Sequence, residues 1–345
     1  MNKLYAGLLA VILIVVIVAA AWFAWFSNPA PPTVKKIGLI LGTGGLGDKS
    51  FNDIAYAGCV RARDELGINF TYAEPKAISE YEGFQTNYAK SGEYALIVCI
   101  GFDQADALNK TALAYPNQKF AIVDMVVDLP NVASLTFKAN EGSFLTGVVA
   151  GLFTQTNKVG FVGGMDIPLI RDFYVGYKAG VEWANPSATV LDPVFVGGWG
   201  DPTKGKELAV SLFGLGADSV FAAAGKSGLG ALEAAHEGVN KLGYGVDSCQ
   251  DYLYPEIIAS ATKRVDVAVY EMISDAIIGK FANGTYSGGL AERWTGCSRL
   301  PDEEGFWEKT FNFNYTALPS NIYAKLTEAN DKIVAGTITV PSGYT

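Results

Sequence analysis

The side chains with the most chemistry to offer fall immediately after short apolar runs. Gly42–Asp48, Gly101–Asp103, Asp124, Gly163–Asp166, Gly225–Ser227 and Asp247 each follow such a run. Carboxylates accept hydrogen bonds from neighbouring hydroxyls, and flanking aromatics such as Phe51 and Phe102 can stack on a flat face. A sugar or a nucleoside offers partners for both. In an open parallel α/β sheet, ligands sit outside the carboxyl ends of the strands. The placement therefore predicts one shared binding region.

Catalysis finds less support. Gly42-Thr-Gly44-Gly-Leu-Gly47 matches the dinucleotide fingerprint, in which pyrophosphate lies at a helix amino terminus. The following helix is expected to begin only at Ser50, and Asp48 would repel a pyrophosphate there. An exported oxidoreductase using this turn remains the alternative from another class. Two segments approach a phosphate-cradling loop without completing it. Gly47-Asp48-Lys49-Ser50 carries one residue too many, and Ala224-Gly225-Lys226-Ser227 lacks the earlier glycine, which is Val220. The one histidine, His236, has only Glu233 and Glu237 for close neighbours, and no nucleophile, base and orienting acid assemble around it. No cofactor and no metal site is expected.

The elements that must position these residues alternate in type. Strands are expected at 36–41, 68–73, 95–100 and 120–123, with helices at 50–66 and 78–91 between them. The pattern restarts with strands at 158–162, 189–195 and 219–222 and helices at 169–183, 204–213 and 228–239. Runs such as Ala95–Ile100 lack polar alternation, as strands buried on both faces do. Two consecutive α/β sets of similar size predict two parallel-sheet lobes with a cleft between them.

The chain has 345 residues, a net charge of -9 and 39 glycines. That length allows more than one domain, and the acidic balance without a basic stripe excludes nucleic acid as partner. Lys3 precedes an uncharged apolar run from Leu4 to Phe26, long enough to span a bilayer of about 20 helical residues. Residues 1–27 thus read as a membrane anchor or a cleaved signal, and 28–35 as a Pro-rich spacer. Cys59 and Cys99 are expected to be buried thiols, whereas Cys249 and Cys297 sit in loop-like surroundings where a bridge is allowed. Four sequons begin at Asn69, Asn109, Asn283 and Asn314.

An ordered series of motifs then resembles one family. Gly44-Gly-Leu-Gly-Asp48-Lys-Ser-Phe-Asn52, Gly101-Phe102, Phe120-Ala-Ile-Val-Asp124 and Phe144-Leu-Thr-Gly-Val-Val-Ala-Gly151 open it. Val159-Gly-Phe-Val-Gly-Gly164, Gly176-Tyr-Lys-Ala-Gly180, Asp201-Pro-Thr-Lys-Gly205, Ala223-Ala-Gly225 and Gly245-Val-Asp247 continue it. Over about residues 36–290 the chain resembles the basic membrane protein family of ABC-transporter substrate-binding proteins, which includes the purine nucleoside receptors. The resemblance implies a type I periplasmic-binding fold, with 36–137 plus 262–290 as first lobe and 138–261 plus 291–345 as second. It implies an extracytoplasmic protein that delivers a nucleoside to the permease and ATPase of an importer; a simple sugar is the alternative ligand. Phe51 and Asn52, with Asp48 beside them, match base-contacting positions, and Phe102 and Asp124 match cleft positions of the first lobe. Phe221 is expected to supply the second stacking ring, with Gly225 allowing close approach. Asp247 matches the ribose-binding acid and Lys263 its lysine partner, expected to keep Asp247 ionised. Two departures stand out: Cys249-Gln250 follows Asp247-Ser248, and Lys226 replaces a small residue in the glycine turn.

Overall fold

A computed structural model describes residues 36–344. The expected anchor at 1–27 and spacer at 28–35 lie outside the described residues, among which no helix is long and apolar enough to cross a membrane. The first half alternates β1 (Lys36–Ile40), α1 (Phe51–Leu66), β2 (Asn69–Ala73), α2 (Tyr81–Ser91), β3 (Tyr94–Ile100), α3 (Ala105–Ala114), β4 (Phe120–Val123) and β5 (Val132–Phe137). The second begins with α4 (Ala139–Phe153), β6 (Lys158–Gly163), α5 (Pro168–Ala184), β7 (Thr189–Val190) and β8 (Val194–Phe195). It continues with α6 (Pro202–Gly214), β9 (Ser219–Ala223), α7 (Lys226–Glu237), β10 (Leu242–Asp247) and β11 (Ile257–Lys263). α8 (Val265–Ile277), β12 (Gly284–Gly288), β13 (Thr295–Cys297), α9 (Pro301–Phe311) and α10 (Ser320–Val334) close the chain.

Two sheets result. The first has the order β12-β5-β4-β3-β1-β2 with every pair parallel. The second has the order β13-β11-β10-β9-β6-β7, with β8 beside β6, and only β13 runs antiparallel. Parallel strands need covering on both faces, which is why β4 is apolar and buried at all its positions. The architecture is a two-lobed α/β fold, as expected.

Four differences from expectation appear. The strand expected over 189–195 is broken into β7 and β8, because Pro193 lies between them and cannot donate to a ladder. α4, the first helix of the second lobe, escapes periodicity because it is buried nearly all round and shows no polar stripe. β11 stays in the second sheet as far as Lys263, so the exchange expected at 261/262 falls inside a strand. The segment after 291 divides: Trp307 of α9 packs into the first lobe's core, whereas Leu326 of α10 packs into the second.

The glycine motifs in α4 and α5 have a packing explanation. A Cβ on Gly147 would strike the carbonyl oxygen of Tyr177, and one on Gly180 would strike that of Phe144. The two helices therefore lie backbone on backbone. Gly180→Val is expected to force them apart and lower stability by about 1–3 kcal/mol, measured by denaturant unfolding. An unchanged midpoint would refute the close contact.

Candidate functional site

The carboxyl ends of both sheets meet at a cleft lined from both lobes, where ligands of open α/β sheets sit. Its first wall is the turn from β1 into α1. Both oxygens of Asp48 are taken by that turn: Oδ1 accepts from the Ser50 and Asp53 amides, and Oδ2 from the Asn52 amide and Asn52 Nδ2. Asn52 Oδ1 in turn accepts the Gly42 amide at 2.8 Å. Burial pushes the Asp48 carboxyl above its usual range while these amides oppose it. Asp48 and Asn52 both line the cleft, but their main bonds hold its wall in shape. The same bonds bear on the dinucleotide alternative. The amides that would cradle a pyrophosphate at the start of α1 already hold an internal carboxylate.

At the floor, two groups reach across between the lobes. Lys263, at the end of β11, places Nζ 2.5 Å from Asp124 Oδ2, at the end of β4. Their side chains are only 2% and 4% exposed. Asp247, at the end of β10, accepts the Ser50 hydroxyl at 2.5 Å. Both acids sit in the left-handed region, with φ of 70° at Asp124 and 63° at Asp247. Such backbone costs on the order of 1 kcal/mol or more for a residue with a Cβ and collects at ligand sites. The Lys263 ammonium also faces three rings, with centroids of Phe51, Phe137 and Phe173 at 4.9, 5.1 and 5.8 Å. Rings attract a cation through their negative faces, which helps to hold Lys263 beside the two acids.

The direct partner of Lys263 is thus Asp124, not Asp247 as expected. Burial pushes Asp247 up to about 6, against the Lys263 charge and the Ser50 hydrogen bond, which both pull it down. Lys263 favours ionisation of Asp247, but desolvation outweighs it. Asp124 Oδ1 is buried and has no hydrogen-bond partner among the described residues. An unsatisfied acceptor of this kind costs about 1–3 kcal/mol, and a ligand hydroxyl would satisfy it.

The rings differ from expectation at one position. Phe51 and Phe102 line the cleft, as does Gly225 with φ of 54°. Phe221 does not. It is fully buried and packs edge-on against Phe161 at 5.4 Å and tilted against Tyr177 at 5.1 Å. Four positions before Gly225, its side chain turns into the core beneath α5. Trp199 and Phe173 face the cleft instead. The Trp199 ring lies against Gly164, where a Cβ would overlap it, and also approaches Gly225. Its signal in the sequence is a lone aromatic inside Gly197-Gly198-Trp199-Gly200. Phe173, buried on a helix, carries none.

Thr43, Asp103 and Lys226, from the turns after β1, β3 and β9, add further polar groups to the cleft. Tyr81 donates to Asp103 Oδ2 at 3.0 Å and accepts the Thr43 amide, and burial raises the Asp103 carboxyl. Lys226 lines the cleft with no ion-pair partner among the described residues. His236 lies elsewhere, stacked on Tyr254 and bonded to Glu256. The allowed Cys249–Cys297 bridge is absent: all four cysteines are free and buried. Cys249 meets the Tyr315 hydroxyl and Cys297 the Thr146 hydroxyl, so each thiol is held by its own neighbour.

Two parallel-sheet lobes closed over a mixed aromatic and charged cleft are the architecture of solute-binding proteins. A solved solute-binding protein of an ABC transporter system from Aeropyrum pernix superposes with a TM-score of 0.76 at 31% identity, covering 89% of this chain and 94% of that one. The family model for PnrA-like ABC transporter substrate-binding proteins matches residues 35–341, and the chain belongs to that family. It is 34% identical over 328 residues to a CD4+ T-cell-stimulating antigen of Listeria monocytogenes, covering 88% of this chain and 87% of the relative. It is also 34% identical over 274 residues to the ABC transporter nucleoside-binding protein BmpA of Lactococcus lactis, covering 72% and 77%.

Proposed function

We propose that this chain captures a nucleoside with a purine base on the outer side of the cell membrane and delivers it to an ABC importer. The carrying observation is the unsatisfied Asp124 Oδ1 beside Asp247 and Lys263, opposite a cluster of rings. Ribose hydroxyls fit the acids, each such bond contributing about 1.5–3 kcal/mol. A base fits between Phe51, Phe102 and Trp199, at about 1–3 kcal/mol per stacking face. An analogue lacking the hydroxyls leaves buried acids unpaired and is rejected. The name of the Lactococcus lactis relative supports the same ligand class. Closure of the lobes commits the ligand, and the loaded form docks on the permease and its ATPase. The chain makes and breaks no bond, and its amino-terminal segment tethers it.

Calorimetry on residues 35–345, which form a compact unit of their own, tests this against adenosine, guanosine, inosine, uridine and ribose. Purine nucleosides should bind and free ribose should not; tight ribose binding with no nucleoside binding refutes the reading. Trp199→Ala should weaken nucleoside binding about tenfold through loss of one stacking face. Equal affinity would remove Trp199 from the site. Lys226 favours a second reading, an acidic or phosphorylated ligand, since an unpaired cation in the cleft can pair with an anion. A nucleoside monophosphate in the same titration distinguishes the two.

A further inference from the structure

The sequons left unexplained by ligand binding are distributed in a particular way on the fold. All four, at Asn69, Asn109, Asn283 and Asn314, have an exposed asparagine and a threonine in the third position. None lines the cleft. Asn69 opens β2 and Asn283 immediately precedes β12, the two edge strands of the first sheet. Both therefore stand at the amino ends of parallel strands, while the ligand sits at the carboxyl ends. A bulky group at either would project from the pole of the lobe opposite the cleft.

Attachment requires both the asparagine amide and the threonine hydroxyl to reach a transferase, and here the four separate. Thr111 is buried on α3 at 2% exposure. Thr71 is bonded to the Tyr94 hydroxyl at 2.8 Å within β2. In the folded chain neither hydroxyl can be presented. At Asn283-Gly-Thr285 and Asn314-Tyr-Thr316, by contrast, asparagine and threonine are both exposed. Asn283 lies in irregular backbone before β12, next to Gly284 with φ of 115°, and Asn314 in the irregular stretch between α9 and α10. Neither side chain has a hydrogen-bond partner among the described residues, so no native contact is lost when it is modified.

We infer that Asn283 and Asn314 are N-glycosylation sites, modified by a lipid-phosphate-linked oligosaccharide after the chain emerges outside the membrane. The Nδ2 atom forms a bond to the anomeric carbon as the bond from that carbon to the phosphate oxygen breaks. The lipid phosphate leaves with the electron pair and the amide gives up one proton, so nothing is oxidised or reduced. This rests on the outward placement proposed above and not on the identity of the ligand.

The test uses the full chain isolated from its own cell membranes. Protease treatment of intact cells first shows which side it faces, and peptide mass spectrometry then reads all four asparagines. The expected result is saccharide mass on Asn283 and Asn314, lost respectively in Thr285→Val and Thr316→Val, with Asn69 and Asn109 bare. An outward-facing chain bare at both sites overturns the inference and leaves the nucleoside reading intact, as does modification only at Asn69 or Asn109. An inward-facing chain overturns both. Nucleoside affinity of the Asn283→Gln, Asn314→Gln double variant should stay within about twofold of the parent.

Discussion

Lys263→Ala is expected to lower stability by about 3–5 kcal/mol, the usual cost of leaving one partner of a buried ion pair alone. With Lys263 and Asp124 exposed by only 2% and 4%, water cannot take the lysine's place without entering the cleft. The loss is compounded because Asp124 already raises the Asp247 carboxyl, and the cation that opposes it would be gone. A fall in Tm of roughly 5–8 °C follows for a chain of this size. The second arm separates stability from binding. In Lys263→Met with Asp124→Asn, both charges are removed and most of the lost stability should return, since a buried pair often breaks even against uncharged groups. Nucleoside binding should not return. A single variant that melts with the parent would show that the cross-lobe pair holds nothing together.

Asp247→Ala is expected to weaken nucleoside binding at least tenfold, since each hydroxyl bond to an ionised acid contributes about 1.5–3 kcal/mol. The position of its carboxyl, pushed up to about 6 by burial, adds a signature in pH. The folded protein holds the proton more tightly than the unfolded chain, whose carboxyl has its usual value near 3.8. Between these values the folded state binds more protons, so this group's contribution to stability is present at low pH and lost as pH rises through about 6. Binding runs the other way. The hydroxyls need the ionised acid, and from pH 7.5 to pH 5 affinity should fall by about tenfold. Glu303, buried against Trp307 and Thr262, is pushed up to about 7 and contributes to the stability slope as well. The difference between parent and Asp247→Asn therefore isolates Asp247. Should the variant keep the parent's affinity and its pH dependence, the acid has no part in the site.

Opposite slopes for stability and binding reflect one physical arrangement. The site keeps Asp124 and Asp247 buried, in strained backbone, with one lysine between two acids and one acceptor unsatisfied. The buried acids, the left-handed backbone and the unsatisfied acceptor all cost the empty protein stability, which Lys263 offsets only in part. The unsatisfied acceptor would be met by a guest that donates hydroxyl hydrogen bonds at the floor while rings cover its flat face. Preorganisation of this kind spends folding stability on affinity.

The sequence by itself determined the two-lobed α/β fold and the rim of the site. Strand runs such as Phe120–Val123 are apolar without alternation, and the groups after them must emerge at one edge of a parallel sheet. That is enough to bring Asp48, Phe51, Asn52, Phe102, Asp124, Gly225 and Asp247 to one cleft. Only the tertiary structure decided which ring faces the cleft and which acid holds the lysine. Phe221 and Trp199 are equally aromatic as letters, but the first points beneath a helix and the second lies across two glycines. Lys263 is separated from Asp124 by 139 positions and from Asp247 by far fewer, yet it bonds to the distant one, because the lobes close across the cleft. Periodicity reports the face a residue turns within its own element. It carries no information about what the opposite lobe brings to meet it.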